Sequence, residues 1–145
     1  MKLITELTDE HGILTTKLTK VTDYMSAEIE EKLQDMAYIM TESGGIGLTA
    51  NQVGLTDKMF VMMLNDKIEH VINPVILTRS KETIVRLEGC LSYPEKGQVP
   101  IRRNDWIRVR YHDGKEQHRC DTLNGINAVI FQHEYDHCNG KCKLA

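Results

Sequence analysis

No stretch of this 145-residue chain approaches the roughly 18 consecutive apolar residues that a membrane-spanning helix needs. The first ten residues lack the long apolar core of a signal peptide, and Glu6, Asp9 and Glu10 are out of place in an acid-poor transit peptide. The cytoplasm is the compartment expected from this. An excess of positive charge is missing too. Eighteen Lys and Arg stand against 21 Asp and Glu, a formal net charge of −3, so there is no basic footprint and DNA is not an expected partner. Internal repeats, low-complexity tracts and Pro/Gly-rich linkers are also absent, and the length suits one compact domain over residues 1–145. The four cysteines, Cys90, Cys120, Cys138 and Cys142, could form two disulfides in a secreted chain. Without an export signal they read as reduced thiols, which frees at least one to be a ligand or a nucleophile.

What is present has a clear order. Ser26 is a candidate N-cap for a helix to Glu42, with Glu28, Glu30 and Glu31 at the positive end of its dipole. Ile29, Leu33, Met36, Ala37 and Met40 share one face, and Gly44-Gly45 stops the helix. Lys58 to Leu64 and His70 to Leu77 read as strands around a polar turn at Asn65-Asp66, and Thr83 to Leu87 as a shorter one. Trp106 to His112 alternates, with Ile107, Val109 and Tyr111 on one face, and Asp113-Gly114 signals a hairpin into Glu116 to Cys120. A second helix is predicted from Asn124 to Cys138, with Ile126, Val129, Ile130, His133 and His137 on one side. The Met-rich run Met59 to Met63 reads as core filler. The whole predicts an α+β fold, with antiparallel β-sheets packed around a central helix.

His133-Glu134-Tyr135-Asp136-His137 is an H-E-x-x-H sequence on that helix. Side chains four apart stack on one face, so both imidazoles can meet one metal ion, and Glu134 can act as general base on a water at the open position. Stray histidines on a polar face are the bland alternative. The apolar neighbours weaken it, because two unpaired buried imidazoles would be costly. A hydrolytic site of this kind needs a third protein ligand and one open position. Glu88-Gly89-Cys90-Leu91-Ser92 offers Cys90, although a lone cysteine is more often a small buried hydrophobe. Gly45-Ile46-Gly47-Leu48-Thr49-Ala50-Asn51-Gln52 is neither a dinucleotide fingerprint nor a phosphate loop and, taken alone, could be a structural turn.

Together these three segments resemble the peptide deformylases, which carry Gly-apolar-Gly-apolar-Ala-Ala-x-Gln, Glu-Gly-Cys-Leu-Ser and Gln-His-Glu-x-Asp-His in that order. Glu88 to Ser92 and Gln132 to His137 match at every defined position, while Thr49 stands where the first motif usually has Ala. The resemblance covers most of the chain and implies a peptide-deformylase-like fold. It implies a metal-dependent amide hydrolase that takes the formyl group from N-formylmethionyl peptides and releases formate. Cys90, His133 and His137 would hold the metal and Glu134 would be the acid–base. Gln52 and the Leu91 N–H would stabilise the oxyanion. One divalent ion is implied, Fe(II) by family habit, with zinc, nickel or cobalt able to take its place. Ferrous iron beside a thiolate would make activity sensitive to air. Ile46, Leu91 and Val129 are candidates for the methionine slot by motif position, and the backbone of Gly45, Ile46 and Gly47 for pairing with an extended peptide. Asp136 is a candidate supporting carboxylate, and Glu88 a partner for Arg102 or Arg103.

The sequence given ends five residues after Gly140. Many deformylases continue into a helix that helps them dock at the ribosome exit, so docking through such a helix is not expected. Cys138 replaces a common Leu and, about 100° around the helix from His137, reads as packing. Cys120 and Cys142 carry no role, and His11, His70, His112 and His118 read as solvated surface. A monomer is expected, in a bacterial cytoplasm or that of a bacterium infected by a phage. Two rivals remain. One is an H-E-x-x-H peptidase, which would usually complete its site with a carboxylate or a third histidine. The other is a non-catalytic metal-stabilised binding module, closed by Cys138 or Cys120 as fourth ligand.

Overall fold

The structure, a computed structural model, describes residues 1–115 and 118–145. Its first regular helix, α1, spans Ala27–Glu42. The Ser26 hydroxyl accepts from the Ile29 N–H at 3.2 Å, which satisfies one of the donors a helix start leaves open. Ile29, Leu33, Met36 and Met40 are buried, as their spacing predicts, and Ala37 packs at the margin of the same core. Gly44 ends the helix in the left-handed conformation, φ 72°.

Five antiparallel strands follow in the order β1-β2-β3-β6-β7, with β1 Gly47–Thr49, β2 Met59–Leu64, β3 Lys67–Arg79, β6 Trp106–His112 and β7 His118–Asn124. Strands β4 Thr83–Glu88 and β5 Val99–Asn104 form a separate two-stranded sheet. Asn65 and Asp66 both take positive φ, 50° and 66°, which suits the right-handed twist of the β2–β3 hairpin. β3 runs further than the alternation alone predicts. It does so by bulging between Ile72 and Val75, where Pro74 has no N–H to give and Asn73 sits at φ 55°. The Asn73 amide leaves the sheet to bond both the N–H and the C=O of Val21, each at 2.8 Å. The expected strand from Glu116 begins at His118 in the structure, and Glu116 and Gln117 lie outside the described residues.

Helix α2, Gly125–Cys138, is buried nearly all round from Ala128 to Glu134. Phe131 meets Phe60 of β2 edge-on at 5.1 Å, and Gln132 ties the opposite side to β5 through the Asn104 N–H and C=O. The helix therefore lies between the large sheet and the small one, which is the expected α+β arrangement. Met59, Phe60, Val61 and Met62 of β2 are fully buried, and the strand packs against both α1 and α2. Ile126 departs from the inward stripe and is 46% exposed, because the first turn of α2 overhangs a cleft. His112 also departs from a solvated role. It stacks on Tyr24 at 4.0 Å, with His118 behind it at 4.9 Å.

The end of α2 is locked to the N-terminal segment. The Leu18 N–H donates to the Cys138 carbonyl at 2.8 Å, and Gly140, at φ 72°, lies so close to Thr15 that a β-carbon would overlap the Thr15 carbonyl oxygen. Both the backbone conformation and the contact demand glycine. Gly140→Ala is expected to cost about 2 kcal/mol or more, from strain and backbone overlap together. Urea unfolding measures it, and an unchanged midpoint would mean that the two segments part easily.

Candidate metal centre

The i, i+4 spacing on α2 brings the His133 and His137 rings together, their Nε2 atoms 3.2 Å apart. Cys90 arrives in the bend after β4, and its Sγ lies 3.3 Å from His137 Nε2. The three residues expected as ligands therefore converge. Two ring nitrogens at 3.2 Å can share one proton at most, and a second lone pair pointing inward is repelled unless a cation lies between. A thiol and two imidazoles around such a point fit one divalent cation.

The candidate ligands are held from behind. His133 Nδ1 is 2.9 Å from Glu88 Oε1, which fixes the tautomer with its Nε2 lone pair facing Cys90 and His137. Glu88 is gripped in turn by Arg103, whose Nη2 and Nε donate to the two carboxylate oxygens at 2.8 and 2.9 Å. Arg103 Nη1 donates to Asp136 Oδ2 at 2.7 Å, so Arg103, not Arg102, is the partner of Glu88. Burial pushes the Glu88 carboxyl up, but the Arg103 fork and His133 override it and hold the group at about 2. Burial also disfavours charge on His133, yet the nearby Glu134 and Glu88 carboxylates raise its pKa overall. His137 is held through its backbone. The Asn51 amide donates to its main-chain carbonyl at 2.7 Å, while its Nδ1 is buried with no partner among the described residues.

Glu134 is buried beside these candidate ligands. The Thr49 hydroxyl lies 2.9 Å from its Oε1 and 3.1 Å from its main-chain oxygen, so the hydroxyl that the sequence adds at this position grips the carboxylate. Gly47 gives the carboxylate room, since a β-carbon there would overlap Glu134 Oε2. The Gln52 side chain accepts from the Thr49 N–H at 2.9 Å. Its Nε2 donates to Ser92 Oγ at 3.1 Å and faces Cys90 Sγ at 3.8 Å.

These groups form the floor of a cleft of about 470 Å³. Gly45, Ile46, Gly47, Gln52, Cys90, Leu91, Val129, His133 and Glu134 all line it, so every sequence-derived site residue except the fully buried His137 reaches its wall. Sequence reasoning missed Ile126 and Ile130, which add apolar wall, and Leu87, 67% exposed at the rim. It also missed Cys142. The donor atoms of Cys90, His133, His137 and Cys142 all lie within 4.8 Å of one another. No standard ligand spacing flags a cysteine five residues after His137, and only the turn at Gly140 returns it to the site. Cys138 is fully buried in the core and Cys120 is exposed on β7, so neither is the extra donor that the binding-module rival expected. The neighbouring Cys142 thiol, together with burial, pushes the Cys90 thiol up, while Cys90 and His137 beside it draw the Cys142 thiol down.

A model describing polypeptide deformylase matches residues 1–144. A peptide deformylase of Thermotoga petrophila is 42% identical over 123 residues, 85% of this chain and 72% of that protein. The crystal structure of peptide deformylase from Thermotoga maritima superposes with a TM-score of 0.90 at 34% identity, covering 97% of this chain and 92% of that one. The PDF of the Vibrio parahaemolyticus bacteriophage VP16T, solved with actinonin, gives 0.87 at 32% identity, covering 98% and 99%.

The Glu88 carboxyl supplies a pH test. Its pKa is depressed from 4.5 to about 2, so its stabilisation is complete above about pH 4.5 and is lost as the pH falls towards 2. At neutral pH chelator-treated wild type should exceed Glu88→Gln by up to about 3 kcal/mol in urea unfolding, and the gap should close across that window. A gap that does not change with pH would remove the charge from the explanation.

Proposed function

We infer the reaction from kinship: the chain belongs to the polypeptide deformylase family, whose members take the formyl group from the N-terminal formylmethionine of new polypeptides and release formate. The observation that carries the reading for this chain is Glu134, held by Thr49 at the floor of the cleft beside the converging Cys90, His133 and His137. We propose these last three as the metal ligands, in a chain that acts as one catalytic domain. The ion is Fe(II), or zinc, nickel or cobalt in its place. A divalent cation there supplies acidified water, its pKa drawn from about 15.7 towards about 7.

Glu134 takes the proton of the attacking water and delivers it to the amine nitrogen as the C–N bond breaks. Water and formamide thus become formate and a free N-terminus. The formyl oxygen gains negative charge as the carbon becomes tetrahedral. Gln52 Nε2, already turned towards Cys90, and the Leu91 N–H are the donors that stabilise it. Glu134 and Gln52 aimed into a cleft would have no task in a purely structural metal site.

The cleft also suits the substrate. β1 is the edge strand of the large sheet, and Ile46 accepts from the Met63 N–H at 2.9 Å. In an antiparallel ladder the next residue faces the other way, so the Gly47 N–H and C=O point to the open edge. An extended peptide adds there as a further strand, with its methionine side chain against Ile46, Leu91 and Val129. Among the described residues no helix is long and apolar enough to cross a membrane. The setting we propose is a monomer in the bacterial cytoplasm, or that of a phage-infected bacterium, meeting peptides near the ribosome exit.

Metal-loaded, anaerobically purified protein is expected to release formate from formyl-Met-Ala-Ser. Glu134→Ala should keep its metal and lose activity by about 10² to 10⁴-fold. Wild type that holds metal and yields no formate would overturn the reading.

A further inference from the structure

A site of Cys90, His133 and His137 leaves Cys142 idle, although its sulfur lies within 4.8 Å of all three donor atoms. We propose that Cys142 is a fourth protein ligand, which competes with water for the remaining position on the metal. This rests on the metal-site reading just given and extends it to a residue outside the three motifs.

The cluster has the dimensions of a small coordination shell. With metal–nitrogen bonds of about 2.05 Å and metal–sulfur bonds of about 2.3 Å, a tetrahedron has edges of about 3.3 Å between nitrogens. Its nitrogen–sulfur edges are about 3.6 Å and its sulfur–sulfur edge about 3.8 Å. The observed His133–His137 and His137–Cys90 edges are 3.2 and 3.3 Å. The Cys142 sulfur lies within 4.8 Å of all three of these donor atoms.

The segment that carries Cys142 is anchored at several points. Beyond the turn at Gly140, the Lys141 N–H returns to the Asp136 carbonyl at 2.9 Å, and the Ala145 N–H bonds the Cys142 carbonyl at 3.1 Å. Leu144 is 3% exposed, and Lys143 Nζ donates to the Arg102 carbonyl at 3.1 Å. These contacts pin the residues on both sides of the thiol. Cys142 itself is only half-buried and is not among the residues lining the substrate cleft. Its sulfur therefore forms no part of the cleft wall.

Cys90, His133, His137 and Cys142 form a Cys2His2 set, the donor number and type of a closed structural site. In a hydrolase such closure slows the entry of water. Cys142 is thus a built-in brake on the centre, and a second soft donor that biases it towards zinc.

The test is the number of sulfurs on the metal. Cobalt(II)-loaded wild type, Cys142→Ser and Cys142→Ala are compared by thiolate-to-cobalt charge-transfer absorption and by X-ray absorption at the cobalt edge. Circular dichroism checks that each variant is folded. Two sulfurs in wild type and one in both variants, with charge-transfer intensity reduced to roughly half, is the expected result. Formate release should be several-fold faster in Cys142→Ala than in wild type. One sulfur in wild type, or spectra unchanged by substitution, overturns the proposal. If the sulfur count falls as expected but no variant releases formate, Cys142 remains a ligand and the deformylase reading fails instead.

Discussion

Two imidazole nitrogens facing each other at 3.2 Å inside a protein cannot both be protonated, nor can both lone pairs meet without cost. The rest of the molecule is arranged around that pair. The helical spacing sets the distance between the rings, and the helix that carries them is buried. The two sheets supply the enclosure. Strand β4 ends at Glu88, which takes one imidazole N–H, and strand β5 carries Arg103, which keeps Glu88 ionised. A carboxylate this deep would be costly alone. Gripped by the guanidinium and bonded to a ring N–H, it instead decides which nitrogen of His133 faces inward.

The reactive groups reach the helix from its flanks. Thr49 sits where β1 ends and a short 3-10 turn begins, and it closes a capping box with Gln52. One residue thus orders the carboxylate on one side and the amide on the other. Its hydroxyl is the one departure from the family pattern in the first motif, and it makes a direct hydrogen bond to Glu134. Cys142 approaches from a different side, beyond the turn at Gly140.

The parts of the fold that the sequence makes legible are those governed by local periodicity and by turn chemistry. Helix α1 begins and ends where Ser26 and Gly44 place it, and β6 covers Trp106–His112 as its alternation predicts. β5 escaped notice because Pro100 and two arginines break the pattern, which is tolerated in a sheet of two strands. The extent of β3 was hidden by the bulge at Asn73-Pro74. In the site, His133, Glu134 and His137 were legible because the i, i+4 spacing on one helix fixes their geometry locally, and Cys90 through the motif resemblance. Cys142 was not, because its position depends on a left-handed glycine, a buried Leu144 and a lysine reaching another strand.

Helix α2 has almost no outward face between Ala128 and Glu134. Most helices offer a solvent side on which substitutions accumulate at little cost, and new chemistry can be tried there. Here nearly every position is already committed to packing, to a hydrogen bond or to the metal pocket, so the helix itself is closed to gradual variation. Diversity among proteins built on this plan must then enter through whatever abuts the helix: the edge strand, the bend after β4 and the few residues past the last turn.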